Sequence, residues 1–365
     1  MVPLARRNLL AEKGRFAISV GGVTFAVLLI LVIVGLYRGF EQEAGSFVES
    51  VPGDLWVMEQ DTTDIFHSFS VFPESDLERL RSVPGVGAVT PLYARRGALT
   101  HGGAQADTYV MAFDVPAGTE VLPGIAAPDR GQIIIDKVFS RKTGVGRGDT
   151  VTLRGRELSV ARVADISNVG LSQFSLISAA DAREVIAIPG SANYALVSIA
   201  SGRQPAAVAD AIEQALPALR AETKADFAQA NRNEIITFFL PIITVLLVIA
   251  FLVGTVVIGL TIYTATIERT REFGVMKAVG ASAGFLYRVV LTQSVILGTI
   301  GFLLGVPLTL VVNRLAQEAV PEFVNVLRWQ DVIAVFGVAL VMGLLAAITP
   351  VRRINRIDPA IVFRA

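Results

Sequence analysis

Glu268, Arg269, Arg271, Glu272 and Lys277 stand close together in IERTREFGVMKAVGAS, the stretch from Ile267 to Ser282. Charges of both signs at this density suit ion pairs and hydrogen bonds with another surface. Glu268 and Glu272 are four residues apart, as are Arg269 and Phe273, and Met276 and Lys277 follow at helical spacing. Phe273, Val275, Met276 and Val279 can lie against something apolar, Gly274 admits a second backbone, and Gly280 can end the helix in a left-handed cap. One reading is therefore a short helix presenting a mixed-charge face, and the other is a plain polar loop. Catalytic alternatives lack their residues. There is no cysteine, so thiolate nucleophiles and thiolate metal sites are excluded, and His67 and His101 are the only histidines. GVGRGD from Gly144 carries no Lys-Ser or Lys-Thr after its glycines, which makes it a turn and not a phosphate-binding loop.

The elements that must hold this stretch are set by composition. Hydrophobic residues make up 53% of 365 and charged ones 18%, against about 25% charged in an ordinary soluble protein. A bilayer core needs roughly 20 apolar residues per helix, and four windows free of Asp, Glu, Lys and Arg meet that length. The expected organisation is a cytoplasmic amphipathic helix over 1–15, a first span over 16–38 and a large extracytoplasmic α+β domain with its stalk over 39–234. A second span follows over 235–267, the charged segment over 268–288, a third span over 289–312, an outer loop over 313–331, a fourth span over 332–351 and a tail over 352–365. Basic residues mark the cytoplasmic side of short loops. Arg6, Arg7, Lys13 and Arg15 precede the first span, Arg269, Arg271, Lys277 and Arg288 separate the second and third, and Arg352, Arg353, Arg356 and Arg364 follow the fourth. Both termini and the charged segment are thus expected inside.

The spans exclude further classes. With no ionisable side chain at the midplane, an ion-coupled carrier or proton relay is not expected. A formal net charge of +0 gives no case for nucleic acid. Gly301 and Gly305 form a small-xxx-small pair that suits close helix packing, within one chain or between two copies. Between the first two spans, β-branched or alternating runs starting at Asp54, Gly87, Asp107, Gln132, Asp149 and Tyr194 predict strands. Helices are expected from Pro73, with Ser75 and Glu78 as a capping box, from Ser178, and from Gln204 with Pro205 in the first turn. Phe66, Phe69 and Phe72 recur at every third position beside His67, either as core under a loop or as a surface for a hydrophobic partner.

The segment from Glu268 to Ser282 resembles the coupling region of the FtsX and MacB-type permeases of ABC transporters, close to E-R-x-R-E-x-G-x-x-K-A-x-G-A-S. Glu268, Arg269, Arg271, Glu272, Gly274, Lys277, Ala278, Gly280, Ala281 and Ser282 fall in register. ARRNLLAEKGRF resembles that family's amphipathic start, and RRINRIDPAIVFRA its tail, with Val362 and Phe363 where Ala-Leu is usual. FPESDLERLRSVPGVGAVTPLY is similar to the DevC-like subgroup. The resemblance implies a permease whose coupling helix docks on a separate ATPase. That ATPase, in two copies, would bind ATP and Mg, leaving no cofactor and no catalytic residue in this chain. It also implies pairing with a second copy of the permease, a stalk continuing the first two spans outward, the bacterial inner membrane as location, and a periplasmic adaptor or other envelope protein as further partner. Two functions fit: mechanotransmission for export or extraction of a lipid, peptide or other hydrophobic substrate, or FtsX-like activation of a cell-wall hydrolase without transport.

Overall fold

The computed structural model describes residues 13–65, 68–166, 168–169, 172–320 and 323–355. Phe66, His67, nearly all of the expected amphipathic start and the tail from Arg356 lie outside these residues. The chain divides into two compact units, one of Met1–Arg38, Phe239–Ala319 and Phe323–Ala365, the other of Gly39–Phe238 and Val320–Glu322. After α1 (Lys13–Ser50) the second unit runs β1 (Leu55–Glu59), β2 (Phe72–Pro73), α2 (Ser75–Arg81), β3 (Val86–His101), β4 (Ala104–Phe113), β5 (Glu120–Leu122), β6 (Ile125–Ala126), β7 (Gln132–Asp136) and α3 (Lys137–Thr143). It continues with β8 (Thr150–Leu153), β9 (Arg156–Ala164), β10 (Asn168–Val169), β11 (Ser172–Ile177), α4 (Ala179–Val185), β12 (Ser191–Ala192), β13 (Tyr194–Ile199), α5 (Pro205–Ala215) and β14 (Leu219–Thr223).

Its main sheet has the order β10-β11-β7-β9-β8-β3-β13-β1-β14, with β4 joined to both β3 and β11. The pairs β4 with β11 and β7 with β9 are parallel, and the remaining pairs of this sheet antiparallel. Two tight hairpins organise it. Gly102 and Gly103 turn β3 into β4 with φ of 56° and 83°, and Arg154 and Gly155 turn β8 into β9 with φ of 48° and 87°. Two-residue turns with both φ positive match the right-handed twist of the strands they join. The run from Asp149, which follows the turn at GVGRGD, forms this second hairpin. The helix from Ser75 also starts differently from expectation: Ser75 is its first residue, Glu74 stands at the cap with no side-chain cap bond, and Glu74 instead accepts a 2.6 Å hydrogen bond from Tyr93. Pro205 does open α5, and Ser178 caps α4 by accepting from Asp181 N.

Both long helices that border this unit are fastened to its sheet. Phe47 on α1 stacks on Phe174 of β11 at 4.6 Å between ring centroids. Phe227, on α6 (Lys224–Glu268), packs at 5.1 Å from Trp56 of β1, and the buried Asn231 on the same helix accepts from Ile65 N. Glu49 and Arg232 add an ion pair between the two helices. Phe72 is buried in β2, whereas Phe69 is 51% exposed under the Arg95 guanidinium, so the every-third phenylalanines do not share one environment.

The other unit contains α7 (Thr270–Ala278), α8 (Ala283–Ala319), α9 (Trp329–Ala346) and α10 (Ile348–Asn355) with the apolar parts of α1 and α6. Among the described residues four helices are long and apolar enough to cross a membrane. Small residues let them touch. A Cβ on Gly301 would overlap Val23, one on Gly305 would lie 2.7 Å from Val27, and one on Gly343 would meet the Ser294 carbonyl at 3.0 Å. Gly254 sits under Met342 and Ala26 in the same way. Such contacts hold helices together by dispersion where lipid removes the hydrophobic drive. α9 stops at Ala346, four residues before Pro350, whose ring crowds the carbonyl four back and brings no N–H to bond it. The fourth apolar window is thus two helices.

Candidate coupling site

The charged segment is built by two terminations. α6 ends at Glu268, and Arg269, at φ −99° and ψ 17°, leaves helical geometry before α7 begins at Thr270. Thr270 returns its hydroxyl to the Ile267 carbonyl at 2.6 Å, sealing the end of α6. At the far end Gly280, at φ 100°, donates to Lys277 O at 3.2 Å, and Ala281 N donates to Met276 O at 2.9 Å. This pair of bonds is the Schellman closure, which needs a left-handed residue at the glycine position. Ser282 then accepts from Phe285 N at 3.3 Å and caps α8. Gly-Ala-Ser is a helix stop and a helix start in three residues.

The faces of α7 follow. Arg271, Glu272, Val275, Ala278 and Val279 are exposed along one side, and Glu268, also exposed, ends α6 just before the break. Gly274 is buried, Met276 packs against the apolar core of the four helices, and Arg269 and Lys277 are half-buried, with Arg269 3.7 Å from Glu272. Gly280 is exposed; Phe273 lies in the helix, its side chain outside the described set. The structure therefore groups Arg271, Glu272 and Ala278 on one exposed side of α7, leaves Glu268 exposed at the end of α6, and turns Met276 and Gly274 inward. Val279, 84% exposed, and Val275 supply the apolar part of that side. Gly301 and Gly305 face α1 of the same chain.

A second polar feature was hidden by the apolar windows, because its members lie one residue beyond them. Arg38 donates to Asp331 at 3.3 Å across 293 positions of sequence. Beside it Asn325 donates to Val32 O at 2.9 Å and Val326 N donates to Gly35 O at 2.9 Å, so the connection between α8 and α9 is bonded to α1. Among the described residues no group of three or more His, Cys, Asp or Glu is placed to hold a metal ion.

Four apolar helices, a large α+β domain between the first two, and a capped charged helix after the second define a multi-pass membrane protein of the transporter-permease kind. A family model described as the MacB-like periplasmic core domain matches residues 16–215, over half of the chain, and one described as the FtsX-like permease C-terminal matches residues 244–359. The chain belongs to the FtsX/MacB-type family of ABC transporter permeases. It is 24% identical over 364 residues to an uncharacterised ABC transporter permease of Mycobacterium bovis, covering 100% of this chain and 99% of that one. A second such permease, of Mycobacterium tuberculosis, is 25% identical over 376 residues with the same coverages. The macrolide export ATP-binding/permease protein MacB of Shewanella oneidensis is 30% identical over 118 residues, 32% of this chain and 18% of that protein. Among solved structures the periplasmic region of MacB from Actinobacillus actinomycetemcomitans aligns at a TM-score of 0.36 and 12% identity, over 50% of this chain and 94% of that one.

Proposed function

We propose that this permease couples ATP hydrolysis by a separate ATPase to movement of its α+β domain, exporting or extracting a hydrophobic substrate. The observation that carries the reading is the exposed side of α7: Arg271, Glu272, Val275 and Val279, with Glu268 at the end of α6 before it, form a mixed face on a helix closed at its C-terminal end by the Schellman bonds. A rigid element with ionic and apolar contacts is suited to receive force from a partner, since a frayed loop would absorb it. α6 runs unbroken from Lys224 to Glu268, so displacement at α7 is passed along one helix toward the residues that pack on the sheet. ATP and Mg are bound by the ATPase in this scheme. Two ATPases serve two copies of the permease in the bacterial inner membrane, with both termini of each permease in the cytoplasm.

The test is co-purification of the full chain with an ABC ATPase from its own cells. Capture of the ATPase by the native chain, and its loss in the Glu272→Arg, Lys277→Glu double variant with unchanged melting, is the expected result. Failure to bind any ATPase rejects the proposal. Comparing extracted lipids and secreted compounds in a deletion strain then addresses transport, because unchanged export with altered wall-hydrolase activity would select the FtsX-like transmitter.

A further inference from the structure

A cavity of about 500 Å³ opens between α1, α6 and α9, within the range of roughly 300–1,000 Å³ typical of small-ligand sites. Ile30 and Val34, Leu247 and Phe251, and Val335 and Val338 form its apolar walls. The Arg38–Asp331 pair, with Asp331 in the first turn of α9, is the charged part of the lining. The Thr244 hydroxyl on the wall is already spent on the Leu240 carbonyl at 2.7 Å. Asp331 is 9% exposed; its Oδ1 takes the Arg38 bond, and its Oδ2 is buried with no hydrogen-bond partner among the described residues. A buried carboxylate oxygen left without a donor is costly, and more so beside hydrocarbon, where water is scarce. The cavity thus combines a dry slot with one acceptor that asks for a donor.

We infer that this cavity holds one acyl chain of a phospholipid with a primary ammonium head group, the ammonium donating to Asp331 and the phosphate lying beside the Arg38 guanidinium. The slot suits a flexible hydrocarbon chain, which the surrounding leaflet supplies at high concentration. A primary ammonium brings three donors, a quaternary ammonium none. The Arg38–Asp331 pair is neutral as a whole, so a zwitterionic head group preserves the balance, whereas an anionic one adds an uncompensated negative charge in a poorly screened place. The inference concerns a lipid bound to the permease itself and stands apart from which substrate is moved or which ATPase drives it.

The experiment is native mass spectrometry and thermal melting of the purified full chain after delipidation. The chain is offered phosphatidylethanolamine, phosphatidylcholine or phosphatidylglycerol with identical acyl chains. One phosphatidylethanolamine per chain is expected to be retained, about tenfold more tightly than either other lipid, as one charge-assisted hydrogen bond allows. It should also raise the melting temperature. Asp331→Asn, whose amide offers N–H where the carboxylate accepted, should bring phosphatidylethanolamine down to the level of phosphatidylcholine. Ala334→Trp fills the slot from an exposed position of α9 and should abolish retention of all three lipids. Should Asp331→Asn fail to fold, the lipid comparison on the native chain and the Ala334→Trp variant decide the matter. Equal retention of the three lipids, preference for phosphatidylglycerol, retention by Ala334→Trp, or a lipid-free dimer that fills the slot with a second copy would each overturn the assignment.

Discussion

Tyr93, Tyr109 and Tyr194 each carry a phenol in the interior of the α+β unit, and burial raises the pKa of all three, that of Tyr109 to about 12. A buried tyrosinate is disfavoured in the folded state, while the unfolded chain ionises near the ordinary value of about 10. The folded pKa is the higher one, so the contribution is fully present below about pH 10 and is lost as pH rises beyond it. Ultraviolet titration of the solubilised protein should therefore show tyrosinate appearing in two stages, the buried set only together with loss of folded structure. Tyr93→Phe removes the bond to Glu74 at a cost of about 1 kcal/mol and should lessen the alkaline sensitivity. Smooth titration of every tyrosine without unfolding would contradict the burial. Among the glycines the contrast is steric. Gly301→Leu drives a side chain into Val23 and the Thr24 backbone and should destabilise by about 1–3 kcal/mol, whereas Gly337→Ala meets no atom within 4 Å and should leave the melting temperature unchanged.

At the scale of elements, α7 depends on its stop. Gly280 has φ 100°, and a methyl group on its Cα would meet no atom within 4 Å, so Gly280→Ala tests backbone conformation alone. The cost of about 1–2 kcal/mol for a left-handed alanine should loosen the Schellman closure. Amide exchange across residues 270–278 is expected to accelerate about tenfold, with global melting nearly unaffected; unchanged exchange would show that tertiary contacts, not the cap, hold the helix. Helix and hairpin signals of this local kind are readable from sequence: the glycine stop, Pro205 at the start of α5, and the apolar windows. Where two local signals compete, the sequence misleads. Ser75 with Glu78 has the capping pattern, yet Glu74 is held by Tyr93 and the chain enters the helix one residue early. Arg154-Gly155 turns the chain because arginine tolerates φ 48° when glycine follows and both flanks pair, a choice made by the sheet. Pairings such as β4 with β11, or Arg38 with Asp331, connect positions that carry no mutual signal in one sequence. Val275, Met276 and Val279 all read as able to lie against something apolar, but which of them face the bundle is settled by the neighbouring helices: Met276 turns inward and the two valines outward.

For the molecule as a whole the proposed topology rests on the charge distribution. Arg269, Arg271, Lys277 and Arg288 crowd the short link between the second and third spans, whereas residues 313–331 hold Arg314 and Arg328 against Glu318, Glu322 and Asp331. Translocating the first set costs more than translocating the second, which is the origin of the positive-inside bias. On that bias, four spans would leave both termini on the cytoplasmic side with the charged link, and the domain between the first and second spans on the other side. The native chain has no cysteine, so single cysteines report without background. Ser282→Cys and Arg147→Cys, both at exposed positions, should react with a membrane-impermeant maleimide from opposite sides: Arg147→Cys in intact spheroplasts, Ser282→Cys only after permeabilisation. Glu318→Cys should label with Arg147→Cys, since the link between the third and fourth spans shares its side. Labelling of Ser282→Cys in intact spheroplasts would invert the topology and remove α7 from the reach of any cytoplasmic ATPase, whereas co-labelling of Glu318→Cys with Ser282→Cys would break the four-span count itself.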